Sequence, residues 1–316
     1  MIPPNSSVYL ETSAINFLAD KYSFQDARAT HAYHLLKGTR FYISNVSIWE
    51  ILLTKDIERR EKIIQYIQNI GYPKLIHSPS ELIIRYIKNG MPINEKKCNL
   101  HSILPLASTW EDICRNRDKT FVFDQEDLKV RSKMIQELFK LANKEITSTP
   151  LIISSENETT ELQRLVSKKI QQLKTIKYRE QPTDNKIKLK LSLLLILIIL
   201  CNETTLDNQP IKDFWSEIGI NNTFERLDYT IKNMESLITE GPFIVLAEMT
   251  YVQLKEGGKP TRGIFWDVLH SIYLIYSNMF FTNDNHFNKL KLENNHLIYN
   301  RIINMEEAKW FTAKRI

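Results

Sequence analysis

Thr261 to Phe287, TRGIFWDVLHSIYLIYSNMFFTNDNHF, reads as a helix, a tight break and a short strand that ends in an acid. From Ile264, apolar residues recur at three- and four-residue spacing through Val268, Leu269, Ile272 and Ile275. That period predicts a helix buried over most of its surface. Asp267 interrupts the apolar wall near its start, and a carboxylate placed there needs nearby donors or a cation. Ser277-Asn278 breaks the helix, Met279 to Thr282 has strand composition, and Asp284 stands where the next helix can begin. Two acids therefore mark the ends of two packed elements.

The N-terminal stretch SSVYLETSAINFLAD, residues 6 to 20, repeats that layout. Val8 to Leu10 predicts a strand, Glu11-Thr12-Ser13 follows at its carboxyl end, and a helix begins at Ala14. In parallel α/β sheets chemistry collects beyond the carboxyl ends of strands, so Glu11 is well sited. Thr12 or Ser13 would cap the helix, whereas Glu11 is a poor cap and has no evident structural reason to precede them. A helix over Phe24 to Leu36, a strand over Arg40 to Ser44 and a short helix over Ser47 to Thr54 come next. Glu50 lies three residues after Ser47, the S-x-x-E spacing of a capping box, so a structural and a chemical role are both open for it. A helix at Ile57 to Ile70, a strand at Lys74 to His77 and a helix at Ser80 to Lys88 extend an alternation that favours a parallel sheet covered by helices.

From 91 to 239 strand signals fade. The helical patterns there are His101 to Arg117, Gln125 to Ile146, Glu158 to Tyr178, Lys186 to Cys201 and Phe224 to Ile238, with Trp110, Phe121, Phe123 and Trp215 as core residues. Leu189 to Cys201 is too short to span about 30 Å of hydrocarbon and reads as a helix buried on all sides. Lys168, Lys169, Lys174, Lys177, Arg179, Lys186, Lys188 and Lys190 form a basic run, either a solvated face or a phosphate-contacting surface. Phe243 to Leu254 is a further helix carrying Glu248, a weaker acid candidate. His296 to Asn300 is expected to be the last strand, followed by a basic amphipathic tail at 301–316.

With 316 residues, 43% of them hydrophobic and only 8 glycines, the chain can bury a sizeable core, and a turn-rich all-β fold is excluded. The three cysteines are widely spaced and odd in number, which argues against a disulfide framework or a thiolate zinc site and for a reducing, cytoplasmic setting. No leader peptide or membrane span is expected. A formal net charge of +5 suits a polyanionic partner without requiring one. The acids that stand out are Glu11, Glu50, Asp267 and Asp284. Clustered carboxylates need a cation, and an oxygen-only set is what Mg²⁺ or Mn²⁺ prefers, which points to phosphodiester chemistry.

YLETSAINFL (Tyr9 to Leu18), ISNVSIWEIL (Ile43 to Leu52) and DVLHSIYLIYSNMFFTNDNHF (Asp267 to Phe287) resemble, in order, the three motifs of the PIN-domain nucleases. The resemblance implies an α/β fold in which 1–90 and 240–300 build a parallel-sheet PIN-like core and 91–239 is a mostly helical insertion. It implies Glu11, Glu50, Asp267 and Asp284 as the catalytic, metal-binding acids, with Thr12, Thr282 and Asn283 in support. The family pattern also has a histidine at the His270 position, where a packing histidine is the other reading. Glu11 departs from the family's more frequent Asp by one extra methylene. The implied activity is Mg²⁺- or Mn²⁺-dependent hydrolysis of RNA, with water attacking phosphorus in line, basic residues of the insertion holding phosphates, and an inhibitory protein as a further partner. The alternatives are a catalytically weak PIN-like scaffold that binds RNA or protein, and a DNA-directed defence nuclease.

Overall fold

The computed structural model describes residues 2–69, 73–89, 125–143, 166, 168–173, 177–201, 209–255, 263–294 and 296–306. In chain order the elements are β1 (Ser7–Leu10), α1 (Thr12–Lys21), α2 (Phe24–Leu36), β2 (Arg40–Ser44), α3 (Asn45–Leu52), α4 (Ile57–Asn69), β3 (Lys74–Ile76), α5 (Pro79–Asn89) and α6 (Gln125–Asn143). Then come α7 (Thr183–Ile196), α8 (Gln209–Ile218), α9 (Thr223–Asn233), α10 (Pro242–Lys255), α11 (Gly263–Ser271), β4 (Met279–Thr282), α12 (Asn285–Glu293) and β5 (Ile302–Asn304). Among the described residues, 2–78 and 273–306 form one compact unit, and 79–89 and 125–272 form a second.

The first unit is organised by a five-stranded sheet in the order β3-β2-β1-β4-β5, every pairing parallel. The protein is thus mixed α/β, with its sheet assembled from both ends of the chain. Val8, Tyr9 and Leu10 lie opposite Met279, Phe280 and Phe281, which brings the carboxyl ends of β1 and β4 side by side. Both strands are almost wholly buried and read as continuous apolar runs, as expected of central strands covered on two faces. Tyr9 stacks on Tyr273 at a centroid separation of 4.5 Å, and Phe280 packs on Phe287 at 4.6 Å. At the opposite ends of the same two strands, Ser7 and Asn278 interlock. The Ser7 N–H and hydroxyl both donate to the Asn278 amide oxygen, at 3.0 and 2.7 Å, and the Asn278 N–H donates to the Ser7 hydroxyl at 2.9 Å.

The last strand differs from the expectation. His296 to Asn300 is not extended: Leu297–Arg301 is a 3-10 helix, capped by the His296 ring, and the strand is Ile302–Asn304. Arg301 explains the shift. Its buried guanidinium donates to the carbonyls of Leu274, Ile275 and Ser277, which fixes the turn and places Ile302 and Ile303 beside Phe280 and Phe281.

The described part of the second unit is helical, with no strand. The helix Thr183–Ile196 is solvent-facing over its first turn, but from Leu189 it and its π-helical continuation Leu197–Cys201 are buried around almost their whole circumference, as the leucine run predicted. The Trp215 indole N–H donates to Leu200 O at 2.6 Å and Arg226 donates to Cys201 O at 3.4 Å, so two carbonyls near the helix end have partners. Burial pushes the Cys201 thiol up to about 12. The expected helix over Phe224 to Ile238 stops instead at Asn233 and resumes for one turn at Ser236–Thr239. α8 falls in a stretch for which the sequence suggested no helix. The expected helix at 101–117, most of that at 158–178, and Trp110, Phe121, Phe123 and the 307–316 tail lie outside the described residues. Among the described residues, no helix is long and apolar enough to cross a membrane.

Candidate functional site

Glu11 follows β1 directly and is 2% exposed. It holds extended backbone angles and serves as the N-cap of α1, its Oε1 accepting from the Ser13 N–H at 2.9 Å. The expectation that Glu11 has no structural reason to stand there is therefore corrected. Aspartate and serine cap more often because they are shorter, but Glu11 folds back far enough to do the same work. Its Oε2 accepts from the Thr282 hydroxyl at 3.0 Å and from the Ser13 hydroxyl.

Asp284 repeats the device at the end of β4. It is the N-cap of α12, with Oδ1 accepting from the His286 N–H at 2.6 Å. Thr282 joins the two acids: its hydroxyl donates to Glu11 and accepts from the Asp284 N–H at 3.0 Å. Asn283 contributes through its backbone N–H, which donates to the Ser13 hydroxyl at 2.8 Å. Thr12 is buried at the start of α1. The two helix starts are thereby tied into one network across neighbouring strands. A carboxylate at each also meets the positive end of a helix dipole.

Glu50 lies on α3, but not in a capping box. The helix begins at Asn45, and Ser44 is its cap, accepting from the Ser47 N–H at 3.2 Å. Ser47 sits inside the helix and its hydroxyl lies 3.3 Å from the Tyr9 phenol. Freed of that role, Glu50 brings a carboxylate oxygen to within 4.8 Å of one on Glu11. Two carboxylate charges held that close repel each other. A divalent cation relieves that repulsion, and a donor set of carboxylates with nearby hydroxyls suits Mg²⁺ or Mn²⁺. The side chains present fit such an ion.

Two residues beside these acids carried no sequence signal strong enough to single them out. Ser13 bonds to Glu11, Thr282 and Asn283, yet in the sequence it is one more hydroxyl at a helix start. His286 places Nδ1 3.0 Å from Asp284 Oδ1, with that nitrogen shielded from solvent while the side chain is 35% exposed. A histidine two residues past an acid is unremarkable until the helix cap folds the pair together.

In the second unit, Asp267 is 6% exposed on α11, and its Oδ2 accepts from the Gln253 amide on α10 at 2.6 Å. His270 is fully buried on the same helix. Glu248 pairs with Lys188 at 3.6 Å. The basic run does not present one uniform face. Lys190 is buried, Lys169 pairs with Asp228, and Lys186 donates to Arg179 O at 3.1 Å. Lys168, Lys177 and Arg179 are exposed, with Lys177 3.4 Å from Glu180, and Lys174 lies outside the described residues. Compared with known proteins, the chain matches no family model, no curated protein and no solved structure.

Proposed function

We propose that this protein is a PIN-like, metal-dependent endoribonuclease whose acids hold Mg²⁺ or Mn²⁺ and hydrolyse RNA phosphodiester bonds. The observation that carries the reading is the pair of acids at the carboxyl ends of adjacent central strands, Glu11 and Asp284, joined through Thr282, with a Glu50 oxygen within 4.8 Å of Glu11. Ligands and reacting groups collect at that edge of a parallel sheet. A bound divalent ion supplies an activated water and neutralises charge on the phosphate. The chain's own part is to position the acids: Thr282 and Ser13 orient Glu11, and the first turn of α12 orients Asp284. Asp267 enters through the sequence resemblance, and exposed Lys168, Lys177 and Arg179 are the cations offered to phosphates.

The test is cleavage of a labelled RNA with Mg²⁺ or Mn²⁺, against EDTA and against Asp284→Asn and Asp267→Asn. The expected result is cleavage that needs the metal and both carboxylates, in variants that melt as the wild type does. A single-stranded DNA of the same sequence tests the DNA-directed alternative.

One observation favours a second reading, a PIN-like scaffold that binds RNA or a protein without cutting. Both Glu11 oxygens are already engaged by Ser13 and Thr282. Glu11→Asp separates the two. An enzyme that accepts either length keeps or gains cleavage, whereas a scaffold binds RNA and cuts nothing with either residue.

A further inference from the structure

α10 is packed on nearly every side: from Pro242 to Leu254, every residue except Ile244 and Glu248 is buried. Two of its buried polar side chains are used differently. Thr250 turns back on its own helix, its hydroxyl donating to Leu246 O at 2.8 Å. Gln253, 5% exposed, reaches across to α11, where its Nε2 donates to Asp267 Oδ2 at 2.6 Å. An ionised carboxylate only accepts, so the amide nitrogen is the end that faces Asp267 and Oε1 is turned away. That oxygen is shielded from solvent and has no hydrogen-bond partner among the described residues. A buried acceptor without a donor costs free energy, and a methionine of the same length would fill the space without that cost. Packing alone therefore does not favour a glutamine here. What its amide gains among the described residues is the hold on a buried carboxylate, a charge-assisted bond of the stronger kind.

We propose that Gln253 is a positioning residue: by holding Oδ2 it fixes the plane of the Asp267 carboxylate and the direction of Oδ1, so that Asp267 meets a divalent ion in one orientation. The inference rests on the proposed metal-dependent reading, in which Asp267 is a ligand, and adds to it the residue that sets that ligand. Carboxylates that bind metals are themselves held by hydrogen bonds, and removing such a partner weakens metal binding by about 10- to 100-fold although the partner never touches the ion. On α10 the sequence draws attention to Glu248, which pairs with Lys188; the residue bonded to Asp267 is the neutral Gln253.

The experiment is calorimetric titration of Mn²⁺ into wild type, Gln253→Met, Asp267→Asn and the double variant, with thermal melting of each in EDTA. The expected result is Mn²⁺ affinity lowered about 10- to 100-fold by Gln253→Met, and no further loss when the same change is made in Asp267→Asn, because Gln253 acts through that carboxylate. Gln253→Asn keeps the amide but is one methylene too short to reach Oδ2; it should weaken Mn²⁺ binding in the same way, and it carries the comparison if the methionine variant does not fold. A purely structural link between α10 and α11 would lower the melting temperature and leave the affinity alone. Binding that needs Asp267 but is as tight in both Gln253 variants as in wild type overturns the positioning role and leaves the metal-dependent reading standing. An equal loss from Gln253→Met with and without the Asp267 carboxylate also overturns it. Binding that Asp267→Asn leaves unchanged removes Asp267 from the ligands and the positioning role with it. No Mn²⁺ binding to the wild type overturns both inference and reading.

Discussion

Thr282 serves two acids with one hydroxyl, donating to Glu11 and accepting from the backbone of Asp284. Thr282→Val keeps the shape and removes the hydroxyl, so Glu11 loses a buried donor and the Asp284 N–H loses its acceptor. We expect a loss of about 1 to 3 kcal/mol, measured as a lower urea midpoint with an unchanged slope. At the same scale, His31 and His34 are buried on α2 against Phe41, with ring centroids 4.6 and 6.2 Å from it. Burial, with His34 beside it, lowers His31 to about 4; burial first, and then Lys37, lowers His34. Between about 6.5 and 4 the unfolded chain binds more protons than the folded one, so stability falls as pH drops through that window and levels off below it. The His31 contribution has a ceiling on the order of 3 kcal/mol. His31→Leu should flatten the fall, read from melting temperatures between pH 7 and pH 4.

Glu11 and Asp284 are helix caps as well as candidate ligands, and their substitutions must be chosen accordingly. Asn caps as well as Asp, so Asp284→Asn should melt within a few tenths of a kcal/mol of wild type, whereas Asp284→Ala should lose about 1 kcal/mol. A metal-binding defect shared by both, with a stability defect only in Ala, would assign the charge to chemistry and the oxygen to the cap. Gly241, just before α10, sits at φ +75, and an added Cβ would run into the Tyr86 ring. Gly241→Ala is expected to cost more than about 1 kcal/mol of stability in the second unit, checked by thermal melting. Periodicity and strand composition located β2, β4 and α2 to the residue, because apolar runs bounded by Gly, Ser and Asn leave little choice. The same signals misplaced β5, because a buried arginine gripping three distant carbonyls decides where the chain extends. They also missed α8, whose polar flanks hide three buried anchors, Ile211, Phe214 and Trp215. At the site, the sequence placed Glu11 and Asp284 just after strands, where the structure has them, while Glu50 and Asp267 lie within helices. Ser13 and His286 were not legible, since each matters only through a cap that the local sequence does not specify.

The sheet of the first unit needs both ends of the chain. Residues 1–78 alone carry β1, β2 and β3 but expose the edge of β1 that β4 covers, along with the apolar faces that Phe280 and Phe287 fill. Expressed by themselves they should be unfolded or aggregated, and a peptide of residues 273–316 added during refolding should raise the soluble fraction. Circular dichroism and size-exclusion chromatography would read both outcomes. Independent folding of 1–78 would refute the dependence.

The Ser7–Asn278 interlock joins residues 271 positions apart. At about 5 to 20 residues per second, a ribosome that has made Ser7 needs roughly 14 to 54 seconds more to reach Asn278. During that interval β1 is available to a nascent chain in which β4 has not been synthesised, so one of its edges stays open. Glu11 meanwhile waits for the hydroxyl of Thr282, which also takes the backbone N–H of Asp284. The Glu11–Thr282–Asp284 network is therefore completed only once Thr282 and Asp284 have been made, and a polypeptide truncated anywhere before Thr282 leaves the ribosome without it.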